Sequence, residues 1–175
     1  MKKSSPLTTL AIAAISALFL TGCGAGFDAS TRNIKQVTDG VEADLGSVKV
    51  RNLLIVAQPD GSGVLVGTLV NNSEEAEIVR SISINGNLAT ISGSNIVSKN
   101  SPVIFAGDSS NANAGVTLLN STIGNRVPVS ITFSSVGTVN FTALVREKTG
   151  EFKDVVLKTP VLCEDPKAPT CTPAP

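Results

Sequence analysis

The sequence predicts an all-β protein, a β-sandwich preceded by an export signal and followed by a proline-rich tail. Three observations carry this prediction. Short apolar runs alternate with turn residues between positions 48 and 158, and two of them alternate strictly between apolar and polar residues. Strict alternation is typical of strands with one buried face. No amphipathic helical period appears after the first 22 residues. Many short strands at regular spacing indicate a sandwich.

The first element is an export signal that ends in a lipidation motif. A short basic start precedes an apolar run, residues 7–20, which is shorter than the roughly 20 residues that a membrane-spanning helix needs. Residues 20–23 (LTGC) form a lipobox, in which small residues admit the signal peptidase and the cysteine accepts a diacylglyceryl group. We therefore predict that residues 1–22 are removed and that Cys23 anchors the chain in membrane lipid on the outer face of a bacterial cell. The alternative is an ordinary secretory signal with a chance cysteine.

Residues 23–46 are a predicted tether, because they show no sustained period and at most a short turn of helix or strand near residues 34–41. The sandwich domain is predicted to span residues 47–158. Asn85-Gly86-Asn87 is a strong hairpin signal within it. The predicted strands, separated by turns rich in Gly, Pro, Asn, Asp and Ser, are 48–58, 64–71, 78–84, 88–92, 103–107, 116–120, 127–133, 139–145 and 152–158.

The last segment, residues 159–175, is a predicted tail with proline at five of its 17 positions, so it cannot continue a central strand. It carries Cys163 and Cys171. An exported chain can form disulfides, and we predict that these two cysteines close a small ring. The alternative is that they act as a pair of thiolate ligands for copper or zinc.

Composition excludes most catalytic chemistry. The chain has no histidine, and its single methionine is Met1, inside the predicted signal. Ser-His-Asp and Cys-His catalysis therefore lack a base, and a histidine-bound metal site is excluded. Asp60, Asp108 and the other carboxylates lie in turns, where solvation or turn formation explains them better than calcium or acid–base work. We predict no enzyme, no cofactor and no metal site, and the absence of a basic patch argues against nucleic acid.

Two stretches resemble a known family. Residues 122–145 (TIGNRVPVSITFSSVGTVNFTALV) and residues 64–83 (VLVGTLVNNSEEAEIVRSIS) resemble segments of the bacterial periplasmic copper chaperones of the PCu(A)C type. The resemblance implies a cupredoxin-like Greek-key sandwich. It also implies copper ligands, His and Met, after the region that matches residues 82–92 and in the strand that matches residues 116–119. Neither stretch carries His or Met here, so no metal ligand is transferred.

A closer resemblance is to the actinobacterial lipoproteins called LpqE, through the GCGAG at residues 22–26, the long tether and the ligand-poor sandwich. This resemblance implies an accessory subunit on the outer face of the respiratory supercomplex of cytochrome bc and cytochrome c oxidase. The expected function is thus a lipid-anchored, non-catalytic binding module. The alternative is a copper chaperone, or a degenerate copper-chaperone-like protein, that assists metallation of the oxidase.

Overall fold

The computed structural model describes residues 38–158, which fold into strands and one short 3-10 helix at Gly150–Phe152. No helix within this span is long and apolar enough to cross a membrane. The strands are β1 (Val41–Leu45), β2 (Val48–Ala57), β3 (Gly63–Asn71), β4 (Glu77–Ile84), β5 (Asn87–Leu88), β6 (Thr90–Gly93), β7 (Ile96–Val97), β8 (Val103–Phe105), β9 (Ala112–Val116), β10 (Arg126–Phe133) and β11 (Thr138–Glu147).

The strands join in the order β5-β4-β10-β11-β2-β3-β8-β9-β6, and this continuous sheet folds over into a barrel-like sandwich. Strand β7 pairs with the start of β4, and β1 pairs with the first half of β2. The second half of β2 pairs in parallel with β11, so β2 connects strands from both ends of the chain. The other pairs are antiparallel except β8 with β9. The predicted all-β sandwich is confirmed.

The interior is mostly aliphatic, and the apolar residues that alternate along the predicted strands point into it. In β10 the apolar residues Val127, Val129 and Ile131 are buried, whereas Pro128 is exposed. The outward positions of β10 and β11 carry hydroxyl and amide groups that pair across the strands. The largest fully buried side chains of the described residues are Phe105, Phe133, Leu53, Leu54, Ile55, Leu65, Leu69, Ile82, Ile84, Leu119, Ile131 and Val48.

The predicted last strand, residues 152–158, is wrong. Gly150 has φ +56°, a left-handed conformation that glycine adopts readily. The 3-10 helix that begins there turns the chain away from the line of β11. The segment then continues without pairing to a strand. Its apolar residues cover the outer face of β2 and β3, where Phe152 and Val155 join Leu54, Val56 and Val64 in a second buried cluster.

One asparagine holds this C-terminal segment in place. Asn113, buried in β9, donates from Nδ2 to the Val156 carbonyl at 2.9 Å and accepts from the Lys158 backbone nitrogen at its Oδ1 at 2.9 Å. A side-chain amide can satisfy one donor and one acceptor of a neighbouring backbone. Two hydrogen bonds therefore attach the segment to β9, although it does not enter the sheet.

Three further boundaries differ from the predictions. Strand β9 occupies Ala112–Val116, not 116–120, because Gly115 is needed where β9 crosses β3: a Cβ at Gly115 would lie 2.5 Å from the Gly63 carbonyl oxygen. The predicted strand 88–92 is divided into β5 and β6. Strand β1 lies inside the segment predicted as tether, so the sheet begins at residue 41.

Candidate functional site

Two segments meet at one end of the sandwich: the hairpin turn from β4 to β5, residues 85–88, and the loop between β9 and β10, residues 117–125. We call these two segments the loop end. Asn85 and Gly86 have φ of +49° and +82°, as a type I′ turn requires, which confirms the predicted hairpin. The loop end overlaps residues 116–119, which match one ligand-bearing stretch of the copper chaperones, whereas the other ligand set was placed after the region that matches residues 82–92.

Side-chain amides fasten the two segments together. The Nδ2 of Asn85 donates to the Leu119 carbonyl at 2.9 Å and to the Asn120 carbonyl at 3.2 Å. The Nδ2 of Asn87 donates to the Leu118 carbonyl at 3.0 Å. Three successive carbonyls of the loop thereby receive hydrogen bonds from the hairpin. Leu119 itself is buried in the main core, and this packing also holds the loop against the sandwich.

The loop end is uncharged and exposes three large aliphatic side chains among amides and hydroxyls. Leu88 is 75% exposed, Leu118 is 56% exposed and Ile123 is 57% exposed, the three highest values among the large hydrophobic side chains of the described residues. No Asp, Glu, Lys or Arg occurs in residues 81–98 or in residues 109–125. A surface with several exposed aliphatic side chains and no charge is typical of a contact surface.

The loop end does not offer a donor set for copper. Its two segments contain no histidine, methionine, cysteine or carboxylate. Copper(I) prefers thiolate, thioether and imidazole ligands, whereas the loop end carries aliphatic groups, amides and hydroxyls. Within residues 38–158 no three His, Cys, Asp or Glu side chains come close enough together to hold a metal ion.

A buried carboxylate lies at the opposite end of the sandwich, where β4 begins. Glu77 is only 5% exposed, and its Oε1 accepts hydrogen bonds from Ser134 Oγ and from the Ser135 backbone nitrogen, both at 2.6 Å. Burial raises the pKa of Glu77, but the hydrogen bonds outweigh burial and hold that pKa below its ordinary value of 4.5. The ionised carboxylate fixes the turn between β10 and β11.

The remaining carboxylates lie on the surface. Asp60 accepts hydrogen bonds from Ser62, at 2.7 Å from Oγ and 3.0 Å from the backbone nitrogen, and these lower the pKa of its carboxyl. It forms a turn, as predicted. Asp108, Glu151 and Asp154 line a shallow cavity of about 130 Å³, but all three are exposed. Enzymes tune an acid or a base by burying it, so this cavity does not support catalysis.

The predicted lipidation site and the predicted disulfide lie outside the described residues. Cys23 precedes residue 38, and Cys163 and Cys171 follow residue 158. Lipidation of Cys23 and the state of the cysteine pair therefore stay predictions.

Solved structures share this fold. No protein-family model matches the chain, and no curated protein does. The apo PCuAC domain from PmoF1 matches with a TM-score of 0.54 at 16% identity, over 61% of this chain and 99% of that domain. The copper-bound PCuAC domain from PmoF2 matches with a TM-score of 0.53 at 14% identity, over 61% of this chain and 98% of that domain. This chain has a PCuAC-like fold.

The PCuAC-like fold confirms the cupredoxin-like sandwich that the sequence resemblance implied. At this level of identity the likeness concerns the fold alone. It gives no support for the LpqE resemblance or for a respiratory partner, and both stay predictions.

Sequence reasoning missed the residues that form the surface of the loop end. The NGN motif was predicted only as a turn, although two of its side chains also fasten the neighbouring loop. Leu118 was predicted inside a strand, and nothing in the sequence distinguishes it from the buried Leu119 beside it. The signal that could have indicated this surface is the absence of charge across residues 81–98 and 109–125.

Proposed function

We propose that this chain is a degenerate copper-chaperone-like protein, held by Cys23 on the outer face of the cell membrane, which acts by binding a partner and carries no copper in its sandwich. The observation behind the proposal is the loop end of a PCuAC-like fold, which exposes three aliphatic side chains and contains no metal-binding side chain. One of the three, Leu118, lies in the stretch that matches a ligand-bearing strand of the resembling family. The lipobox and the predicted signal support the extracytoplasmic location.

Chemistry favours a binding module over a metal carrier. Transfer of copper(I) requires soft ligands that hold the ion and exchange it. The described residues contain no cysteine, histidine or methionine. A contact surface requires exposed apolar area on a rigid scaffold, and the loop end provides both, because Asn85 and Asn87 hold its two segments together.

A second candidate is copper carriage by the tail. Cys163 and Cys171 are the soft donors that remain in the chain after Cys23 is acylated, and eight residue steps separate them. If both are reduced thiolates in the cell envelope, the pair could bind one copper(I) ion. A disulfide between them would abolish this function.

Titration with copper(I) against a coloured competing chelator distinguishes these candidates. We expect residues 23–175, purified from the cell envelope without reductant, to leave the chelator saturated, and the C163S/C171S variant to do the same. Stoichiometric binding that disappears in C163S/C171S would establish the second candidate. Binding that persists in C163S/C171S would contradict the proposal, because the ligands would then lie elsewhere in the chain.

The partner is a separate question, and we propose a membrane complex that contains a copper enzyme, with the respiratory oxidase as the first choice from the resemblance. Purification of the tagged lipoprotein from its own membranes in mild detergent tests this choice. Recovery of oxidase and cytochrome bc subunits in fixed ratio is the expected result. Recovery of the lipoprotein alone would remove the oxidase as a stable partner.

A further inference from the structure

We propose that the loop end rests on the lipid bilayer, with Leu88, Leu118 and Ile123 inserted among the lipids, so that the opposite end of the sandwich points away from the membrane. This inference rests on the lipid anchor at Cys23 that the proposed function includes. It assigns a second membrane contact besides the acyl chains, and it orients the module.

Exposed aliphatic groups are concentrated at the loop end. The three most exposed large hydrophobic side chains all belong to the loop end. The opposite end also exposes apolar groups, Ile78 at 41% and Val136 at 36%, but Glu77 precedes Ile78, and Glu75 and Glu77 line the same cavity as Val136. Moving a charged group into the headgroup and acyl region is costly, whereas a segment without charge can enter it. Within residues 38–158, the loop end carries the three most exposed aliphatic side chains, and both of its segments are uncharged.

The backbone carbonyls of the loop end are already hydrogen-bonded. A polar group that loses its water and gains no hydrogen bond is unfavourable in an apolar environment. The carbonyls of Leu118, Leu119 and Asn120 already accept hydrogen bonds from the amides of Asn85 and Asn87. Contact with lipid would therefore leave these three acceptors satisfied, so the loop can approach the bilayer with little loss.

The chain enters the described domain from the side of the loop end. Strand β1 runs antiparallel to β2, so residues before Val41 lead back toward the loop end. Asp39 forms an ion pair with Arg146, near the end of β11, which confirms this direction. Fifteen residue steps separate Cys23 from Thr38, and a coil of that length spans on average about 20–25 Å. The far end of the domain is farther away, because a ten-residue strand such as β11 is about 34 Å long.

The expected contact is weak by itself and depends on the anchor. Three aliphatic side chains bury little apolar area, but the anchor keeps them next to the bilayer at a high effective concentration. Cations and carboxylates are mixed around the loop end, with Arg126 and Lys148 beside Asp60 and Glu147. The contact should therefore depend on apolar insertion and change little with ionic strength.

The chain contains no tryptophan or tyrosine, which permits single-tryptophan reporters against a dark background. The reporter Thr117→Trp lies beside Leu118, and the matched reporter Val136→Trp lies at the opposite end. Each lipidated protein is placed in phosphatidylcholine–phosphatidylglycerol vesicles with and without brominated acyl chains, and the loss of fluorescence is measured. We expect at least twofold stronger quenching at Thr117→Trp than at Val136→Trp, at both low and high salt.

Substitution then tests the aliphatic groups themselves. Leu88→Asp with Leu118→Asp should reduce the quenching of Thr117→Trp to the level of Val136→Trp, while Ile78→Asp with Ile96→Asp should leave it unchanged. Circular dichroism checks that each variant is folded. Equal quenching at both reporters in the otherwise unchanged protein would overturn the proposal. Quenching that does not change with the two Leu→Asp substitutions would also overturn it. If quenching is absent and the same substitutions release a co-purified protein, the loop end binds that protein and not the bilayer.

Flotation of the vesicles separates this proposal from the anchor on which it rests. Every variant should float with the vesicles through its acyl chains, whether or not the loop end inserts. A wild-type chain that does not float would overturn the bilayer contact together with the anchor at Cys23. The copper titration does not depend on vesicle binding. It therefore tests separately the proposed absence of copper from the sandwich.

Discussion

Single asparagine side chains supply much of the tertiary hydrogen bonding of this domain. Asn71, buried at the end of β3, donates from Nδ2 to the carbonyls of Glu75 at 2.6 Å and Val97 at 3.0 Å, and its Oδ1 accepts from the Ser73 backbone nitrogen at 2.9 Å. Asn113 does the same for the C-terminal segment. An amide imitates a peptide group, so it can join loops that no strand reaches. The sequence shows these residues, but it does not show which carbonyl each one meets.

Glu77 gives the domain a testable pH dependence. Its pKa in the folded protein is lowered relative to 4.5, so it contributes stability that is present above the unfolded pKa and is lost as pH falls through the folded pKa. Asp44 and Asp60 act in the same direction, because their hydrogen-bond partners also lower their pKa values. We expect the urea midpoint of the wild-type protein to fall as pH decreases below about 4.5.

The variant Glu77→Gln should show a flatter profile in the same urea titration, since a neutral amide oxygen can accept both hydrogen bonds but does not titrate. Glu75→Gln is the matched control, because Glu75 lies in the same loop, is exposed and has no hydrogen bond to Ser134 or Ser135. A profile for Glu77→Gln that is as steep as that of wild type would show that Glu77 does not contribute.

Strand positions could be predicted where burial alternates, and they could not where it does not. In β10 and β11 each second residue enters the core, so the period appears in the sequence. Strand β9 has five buried residues in a row and no period, and its position depends on Gly115 lying against Gly63 of β3. The segment 152–158 carries a short apolar run without strict alternation, and it covers the outside of a sheet instead of joining it. A short apolar run alone does not distinguish a strand from a covering segment.

The connection between the hairpin and the following loop is testable through Asn85. Asn85→Gly keeps the positive φ of the turn but removes both bonds to Leu119 and Asn120. Two such bonds contribute roughly 1–3 kcal/mol together, so the free energy of unfolding in urea should fall by about that amount. Amide exchange should also become faster in residues 117–120, because the loop loses its attachment.

The matched control is Asn100→Gly. Asn100 also has a positive φ, at +59°, and is exposed, but its side chain fastens no second segment. Its free energy of unfolding should change by only a few tenths of a kcal/mol. Equal losses in both variants would mean that the turn conformation, and not the bonds to the loop, determines the effect.

For the whole molecule, the sequence was more informative about location than about the site. The signal, the lipobox and the absence of histidine are linear features, and they predicted an exported chain without catalytic chemistry. The loop end is a three-dimensional feature: Leu88 and Leu118 are 30 residues apart, and their exposure depends on how the hairpin and the loop pack. The resemblance implied the fold, but it could not show which side chains of this chain are exposed at the loop end.

The anchor predicts the behaviour of the whole chain in the cell. Cys23→Ser should move the protein from the membrane fraction to the soluble fraction of the envelope, because the acyl chains are lost and the loop end alone binds weakly. Cys163→Ser is the matched control and should remain in the membrane fraction. Fractionation followed by mass measurement of the N-terminal peptide checks both variants, and unchanged membrane association of Cys23→Ser would contradict lipidation at this residue.

The parallel pairing of β2 with β11 also has a consequence for how the domain folds. Val145 pairs with Ile55, so two strands that are 90 residues apart in the chain must meet before the sheet is complete. Folding slows as the contacts that define a topology become more distant in sequence. Until β11 arrives, the apolar second half of β2 has one unpaired edge, and such an edge can pair with other chains. A chain interrupted before residue 147 would therefore be prone to aggregation, which makes completion of synthesis and export a condition for folding.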